Sequence, residues 1–238
     1  MYIYQLLTAN GQIDRFGLLN VVAFLIALFG SIILHEIAHG LVALWNGDNT
    51  AKMYGRLSLN PIRHFDWIGL LFMLFAGFGW ARPVPVNPNN FKNRKLGAIT
   101  VSIAGIVTNL TIAFLAAIGV ALLGSINVHG MSGSKYYFVY LCYMLMSMLL
   151  SLNVSLALFN FLPLFPLDGY RLLSCFINEN RGCMVFLRKY SLYFLLGFML
   201  LNYLPIVSAY SPLNLYLSTF GGMIQHGFRK FWELVFHV

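Results

Sequence analysis

Long apolar stretches constrain this chain more than any other feature of its sequence. The first runs from about Phe16 to Trp45, the second from about Leu96 to Leu123 and the third from about Tyr136 to Phe161. A helix needs about 20 mainly apolar residues to cross a bilayer. Charged residues make up only 9% of the chain, against roughly 25% in ordinary soluble domains. The sequence therefore predicts a polytopic membrane protein built from helices.

Shorter apolar segments leave the number of crossings open. A fourth span is predicted from about Phe186 to Leu204, and the weaker segment Tyr210 to His226 is either a crossing or an interfacial helix. Asp66 to Trp80 is apolar but has only about 15 residues, which favours a re-entrant or interfacial segment. Ala51 to Asn60 partly alternates and predicts a strand or hairpin. We expect an all-α protein with about four to six transmembrane helices and a short β or re-entrant element between the first two long helices.

The distribution of basic residues predicts the orientation. The net charge is +8, and most cations lie in two regions, residues 46–95 and 169–189, whereas the loop 124–136 has only Lys135 and the amino-terminal tail only Arg15. By the positive-inside rule both basic regions are cytoplasmic. The sequence has no basic stripe with interleaved aromatic residues, so it does not predict nucleic-acid binding. The three cysteines lack paired spacing, which argues against a disulfide framework or a cysteine zinc site.

Three ionisable residues interrupt the first apolar stretch. His35 and His39 are four residues apart, so a helix places both imidazoles on one face, where they can reach one tetrahedral ion. Glu36 points partly aside, which suits a base acting on metal-bound water. Each ionisable residue at the centre of a membrane helix costs about 2.5 to 3.5 kcal/mol on insertion scales. A catalytic zinc uses three protein ligands, so one more must come from elsewhere.

Asp168 is the best candidate for the third ligand. The chain has seven acidic residues, and five of them lie in or beside predicted loops or interfacial segments, where a solvated carboxylate is expected: Asp14, Asp48, Asp66, Glu179 and Glu233. Asp168 instead follows an apolar helix that Pro163 and Pro166 break at membrane depth. An ion pair with Arg171 is the alternative role for this carboxylate.

Three motifs resemble the site-2 protease family of intramembrane zinc metalloproteases. They are His35-Glu36-x-x-His39, the segment from Ala104 to Asn109, and Asn160-Phe161-x-Pro163-x-x-Pro166-Leu167-Asp168-Gly169. They cover a core of about residues 16–175, and Ile106 stands where the family usually has proline. The resemblance implies that His35, His39 and Asp168 bind one Zn²⁺ and that Glu36 activates the attacking water. It also implies auxiliary roles for Asn109 and Asn160 near the substrate or transition state.

The resemblance further implies a compact form of the family. Residues 1–238 would be a single membrane-embedded metalloprotease domain without a PDZ or CBS module, in the inner membrane of a bacterial cell, with its active site toward the cytoplasm. Its partners would be the lipid bilayer and membrane-anchored protein substrates, and a regulator would be another membrane protein or the loops themselves. Substrates would be cleaved for regulated intramembrane proteolysis or for removal of signal-peptide remnants.

Two other functions and one structural hypothesis accompany this interpretation. A membrane metal transporter or sensor also places histidines and carboxylates at membrane depth, and another intramembrane metalloprotease, such as a prenyl-protein endopeptidase, also uses H-E-x-x-H. Prolines at 83, 85 and 88 exclude a helix from Ala81 to Phe91. One hypothesis is that Tyr54 to Asn60 or Pro83 to Asn87 offers a strand edge to an unwound substrate. The alternative is that the proline-rich stretch is only a connector.

Overall fold

Three long helices dominate the part of the chain that the computed structural model describes, residues 8–9, 12–13, 15–64, 66–69, 71, 82–203 and 211–238. All three are long and apolar enough to cross a membrane, and their bounds confirm the three strongest apolar predictions. In chain order the elements are β1 (Thr8–Ala9), β2 (Gln12–Ile13), α1 (Arg15–Trp45), α2 (Thr50–Met53), α3 (Arg94–Gly124), α4 (Gly133–Phe161), α5 (Asp168–Ser174), α6 (Gly182–Tyr203) and α7 (Pro212–Phe236).

The long helices α1, α3 and α4 pack against one another through small residues. Ala27, Ala113 and Ala117 are fully buried, and small side chains let membrane helices approach closely. One buried hydrogen bond joins α4 to α1, because Asn153 Nδ2 donates to Ser31 Oγ at 2.7 Å. Ser31 lies one turn before His35, so this bond holds α4 against α1 close to the ionisable residues.

The two carboxy-terminal helices leave the number of crossings unconfirmed. Helix α6 coincides with the predicted fourth span, and α7 continues well beyond the segment predicted to end at His226. Neither helix is among the three candidate spans of the described residues. Helix α7 packs along α3 and α4, where Trp232 Nε1 donates to the Phe114 carbonyl at 2.9 Å. This packing explains why the helix extends past Arg229 and Lys230.

The connection between α1 and α3 is irregular. The strand or hairpin predicted over Ala51 to Asn60 is not confirmed, since α2 occupies its start and Gly55, with φ of 63°, turns the chain. The only ladder among the described residues joins β1 to β2, near the amino terminus. Most of the predicted re-entrant segment Asp66 to Trp80 lies outside the described residues. Residues 82–87 form neither helix nor strand, as their prolines predict. The exclusion of a helix over the whole stretch Ala81 to Phe91 is wrong at Pro88–Asn90, which form a short 3₁₀ helix.

Two Asn-Pro pairs start the short 3₁₀ turns of this connection. The turns are Pro61–Arg63 and Pro88–Asn90, and in each the preceding asparagine side chain accepts a backbone N–H. Proline at the first helical position lacks the N–H that would remain unpaired there, and asparagine is a favoured cap. The connection is therefore ordered by local capping rather than by a sheet.

Candidate metal centre

Helix α1 holds two imidazoles on its buried face. His35 and His39 are both buried, and their Nε2 atoms lie 3.1 Å apart. Their spacing of four residues is slightly more than one helical turn, which stacks the two side chains. The predicted proximity of these residues is therefore present in the structure.

The third side chain comes from the break after α4. That helix ends at Phe161, and the chain turns through residues 162–167 before α5 begins at Asp168. The turn is tight, because a Cβ at Gly169 would collide with the backbone carbonyls of Phe161 and Leu162. Asp168 Oδ2 thereby comes within 3.2 Å of His35 Nε2 and 3.1 Å of His39 Nε2.

The three donors have the geometry of ligands to one small cation. Four tetrahedral ligands at about 2.0–2.1 Å from zinc lie roughly 3.3 Å from one another, close to the 3.1–3.2 Å separations between these atoms. Asp168 Oδ2 and His35 Nδ1 are both buried without a hydrogen-bond partner. Nitrogen and oxygen donors of this kind suit zinc.

The alternative ion pair with Arg171 is weak. Arg171 Nη1 lies 4.0 Å from Asp168 Oδ1, the other carboxylate oxygen, and the arginine side chain is 51% exposed. A pair at that separation with one partner half exposed to solvent contributes little. Asp168 thus has two imidazoles as its close neighbours, while Arg171 lies at the rim.

Helix α3 orients both histidines. The His39 Nδ1–H donates to the Val101 carbonyl at 2.7 Å, which leaves the lone pair of Nε2 free for a metal. A Cβ at Gly105 would overlap the imidazole of His35, so only glycine lets α3 approach that ring. The predicted Ala104–Asn109 motif therefore supplies space as well as polar groups.

Glu36 and the two candidate asparagines line one cavity with the three donors. The cavity has a volume of about 400 Å³. Asn109 is fully buried, and neither its Nδ2 nor its Oδ1 has a hydrogen-bond partner. Asn160 Nδ2 instead donates to the Leu156 carbonyl of its own helix at 3.0 Å. All the predicted site residues thus lie together, and Asn109 has the free polar atoms.

The backbone N–H of Val84 holds Glu36, a contact that the sequence did not reveal. It donates to Glu36 Oε2 at 2.9 Å across 48 positions of the chain. Two carbonyls beside Val84 are held in turn by Arg56, whose Nη2 donates to Arg82 O and, at 3.2 Å, to Pro83 O. The extended segment at 82–87 thus forms part of the wall around the carboxylate.

Asp48 anchors the other end of this segment, which corrects the prediction of a solvated carboxylate. Its side chain is fully buried; Oδ2 accepts from the Asn87 N–H at 2.7 Å, and Oδ1 accepts from Asn90 Nδ2 at 2.8 Å. Both the N–H and the hydroxyl of Thr50 also donate to Oδ1. Burial alone would raise the pKa of Asp48, but these hydrogen bonds outweigh it and lower the pKa below its ordinary value.

Known proteins share substantial parts of this sequence. The model of the family described as Peptidase family M50 matches residues 122–204, which include Asp168. A protein of Bacillus subtilis (strain 168), named "Putative zinc metalloprotease YwhC", is 44% identical over 179 residues. The match covers 68% of this chain and 77% of that relative. No solved structure gives a significant match.

Proposed function

This chain belongs to peptidase family M50, the site-2 protease family, and we propose that it is an intramembrane zinc endopeptidase. The observation that carries the proposal is the convergence of His35, His39 and Asp168 in one cavity with Glu36 at its wall. Two of these three donors lie on a helix long enough to cross a membrane. We therefore expect cleavage of membrane-anchored proteins within or near their transmembrane segments.

Each donor has one assigned atom. His35 and His39 would bind zinc through Nε2, and Asp168 through Oδ2, because these three atoms converge on one point. When bound, zinc polarises the scissile carbonyl and makes water acidic enough to attack near neutral pH. A fourth position remains for the reacting groups, as catalytic zinc sites require.

Glu36 supplies the proton transfers in this proposal. It accepts a proton from the attacking water and later donates it to the leaving amide nitrogen. The Val84 N–H holds one carboxylate oxygen, which leaves the other oxygen to take the proton. In this role Glu36 is not a zinc ligand.

Asn109 is the better of the two candidates for an auxiliary role. Its buried amide has no partner and lines the cavity, so its Nδ2–H can donate to the oxyanion that develops as water attacks. The amide of Asn160 already donates within its own helix, which leaves it a lesser role in lining the substrate cleft.

The orientation and the cellular location complete the proposal. The basic connections 46–95 and 169–189 lie in the cytoplasm, so the metal site opens toward the cytoplasmic side of a bacterial cell membrane. Helix α6, with 22 residues, is proposed as the fourth crossing, because that length spans roughly 33 Å. The chain acts as one membrane-embedded catalytic domain.

The distribution of ligands favours an enzyme over a metal transporter. Within the described ranges, the cluster of His35, His39 and Asp168 is the one group of three or more side chains placed to bind a metal. A transport path needs several sites across the bilayer, whereas these donors share one depth. The transporter hypothesis therefore gains no support.

Zinc content and cleavage, measured together, test the proposal. The protein would be purified with Glu36→Gln, His35→Ala and Asp168→Ala variants, and each incubated with a single-span substrate. We expect Glu36→Gln to retain about one zinc and lose cleavage, whereas both ligand variants lose zinc and cleavage. Chelation should abolish cleavage by the parent protein, and added zinc should restore it.

The control is Glu233→Gln, which removes an exposed carboxylate from α7 and should change neither measurement. Full activity in Glu36→Gln would refute the role of this carboxylate. Unchanged zinc affinity in Asp168→Ala would refute the third ligand.

A further inference from the structure

A second cavity, beside the metal site, is lined by three arginines. It has a volume of about 410 Å³. It shares one residue, Pro83, with the metal cavity. Among the described residues no carboxylate lines it, and none forms an ion pair with its arginines. Its lining residues are Tyr54, Arg56, Arg63, Arg82, Pro83 and Pro85.

Arg56 is built into this cavity rather than lying free at the surface. The residue is only 7% exposed, and its Nε is buried without a hydrogen-bond partner. Burial and the positive charge of Arg82 lower the pKa of Arg56, and the negative charge of Glu36 opposes that shift. A buried guanidinium beside like charges and with an unused donor is costly unless an anion is present. Arg63 Nη1 donates to the Gly55 carbonyl at 2.7 Å, so backbone carbonyls hold both Arg56 and Arg63 at this cavity. The cavity therefore has fixed positive charge for an anionic ligand.

Exposed apolar side chains lie in the same connection as the arginines, close to them in the chain, and one of them, Tyr54, lines the cavity. Met53 is 82% exposed and Trp67 is 70% exposed, and Tyr54, Leu59 and Ile62 are similarly open. Large apolar residues beside clustered cations are typical of segments that lie at the membrane interface, where the apolar groups enter the acyl boundary and the cations meet phosphates. The surroundings thus favour a ligand that is itself part of a membrane.

We propose that this arginine pocket, formed by Arg56, Arg63 and Arg82, binds the phosphate of an anionic phospholipid headgroup. Guanidinium groups bind phosphate oxygens with paired N–H donors. Tyr54 and the neighbouring apolar side chains would lie against the acyl region. The ligand class is a phosphodiester with a net negative charge, such as phosphatidylglycerol.

The pocket is connected to the catalytic carboxylate through the backbone. Arg56 donates to the Arg82 and Pro83 carbonyls, and the next residue, Val84, donates its N–H to Glu36. A phosphate that fixes Arg56 would also fix this segment. This part rests on the proposed protease function: anionic lipid would raise the rate of cleavage by holding Glu36 in place.

Lipid binding tests the pocket without any reference to proteolysis. The full chain would be taken from vesicles of equal phosphatidylglycerol and phosphatidylcholine, and the lipids it retains would be counted by native mass spectrometry. We expect preferential retention of phosphatidylglycerol, reduced by roughly fivefold for each charge removed in Arg63→Gln and Arg82→Gln. Arg56→Lys, which keeps the charge and protects the fold, should weaken retention less than the double variant.

Matched controls make the result decisive. Arg181→Gln removes the same charge from an exposed position of the other basic region and should leave retention unchanged, as should the inactive Glu36→Gln variant. Equal retention by the parent and the Arg63→Gln, Arg82→Gln double variant would overturn the proposal. Displacement of the lipid by millimolar inorganic phosphate would overturn it too, because the pocket would then select a free anion.

Cleavage in defined vesicles tests the connection to Glu36. Replacing phosphatidylglycerol by phosphatidylcholine should slow the parent several-fold and should hardly affect the double arginine variant. A substrate whose acidic flanking residues are replaced by serine should show the same lipid dependence. If the effect of the arginines disappears with that substrate, the pocket binds substrate carboxylates and the lipid assignment is wrong.

Discussion

The metal cluster and the extended segment 82–87 meet at Glu36, but they are held in place in different ways. In the cluster, helices α1 and α5 carry the side chains, and α3 positions the imidazoles by direct contact. In the segment, side chains from distant positions hold the backbone, chiefly Asp48 and Arg56. Changes at the cluster should therefore alter the metal and its immediate chemistry, whereas changes at the segment should alter Glu36 alone.

Outside Glu36 and the three zinc ligands, the largest effect is expected from Asn109→Ala. If its free Nδ2–H stabilises the oxyanion, removing it should lower kcat on the order of 100-fold or more and leave zinc content unchanged. Asn160→Ala is the matched control, because that amide already donates to Leu156. Steady-state cleavage with both variants would measure the difference, and equal losses in the two would remove the distinction between these asparagines.

Gly105→Ala should disturb the metal itself. The added methyl group would overlap the His35 ring, so the imidazole must tilt, and such displacement of a ligand typically costs about 10- to 100-fold in metal affinity or activity. Gly30→Ala is the control on α1, since a Cβ there meets nothing within 4 Å. Zinc affinity measured by competition with a chelator should fall only for Gly105→Ala. An unchanged affinity in that variant would mean that helix α3 shifts away and the His35 ring keeps its position.

Two proline substitutions separate the segment from the cluster. Val84→Pro removes the N–H that donates to Glu36, and losing about 1.5 kcal/mol from a hydrogen bond to a charged group should slow cleavage roughly tenfold. Val86→Pro changes the same extended stretch without removing a hydrogen bond of the described residues. Both variants should retain zinc. Cleavage at the parent rate in both variants would show that residues 82–87 serve only as a connector.

The cluster was predictable from the sequence because its signals are local. Two histidines at helical spacing indicate one face, and Asp168 stands out among seven acidic residues by following a helix broken at Pro163 and Pro166. The long helices were predictable for the same reason, since apolar length alone identifies them. The end of α7 was not, because its last turns depend on the contact of Trp232 with α3.

The segment was only partly predictable, since its contacts carry little signal in the sequence. Its prolines exclude a helix, but the bond to Glu36 uses a backbone N–H, which every residue except proline offers. Asp48 looked solvated because it follows a helix end, whereas its partners are 39 and 42 positions away. The partial alternation of Ala51 to Asn60 was too short to distinguish a strand from a capped turn.

The smallest effect is expected from Asp48→Asn, and it depends on pH. The substitution places an amide N–H₂ where Oδ2 now accepts the Asn87 N–H, which should cost about 1–2 kcal/mol of stability near pH 7. The pKa of Asp48 is lower in the folded protein than in the unfolded chain. Its contribution is therefore present above the unfolded pKa and is lost as the pH falls through the folded pKa.

Thermal unfolding of the parent and of Asp48→Asn, followed from pH 7 down to about pH 3, would measure this contribution. The gap between the two midpoints should narrow as the carboxylate becomes protonated, because the parent then also carries a donor at this position. Glu233→Gln should show no comparable gap at any pH, since that carboxylate is exposed. A gap that stays constant through this pH range would mean that the negative charge of Asp48 does not stabilise the segment. The shape of the side chain would then account for its whole contribution.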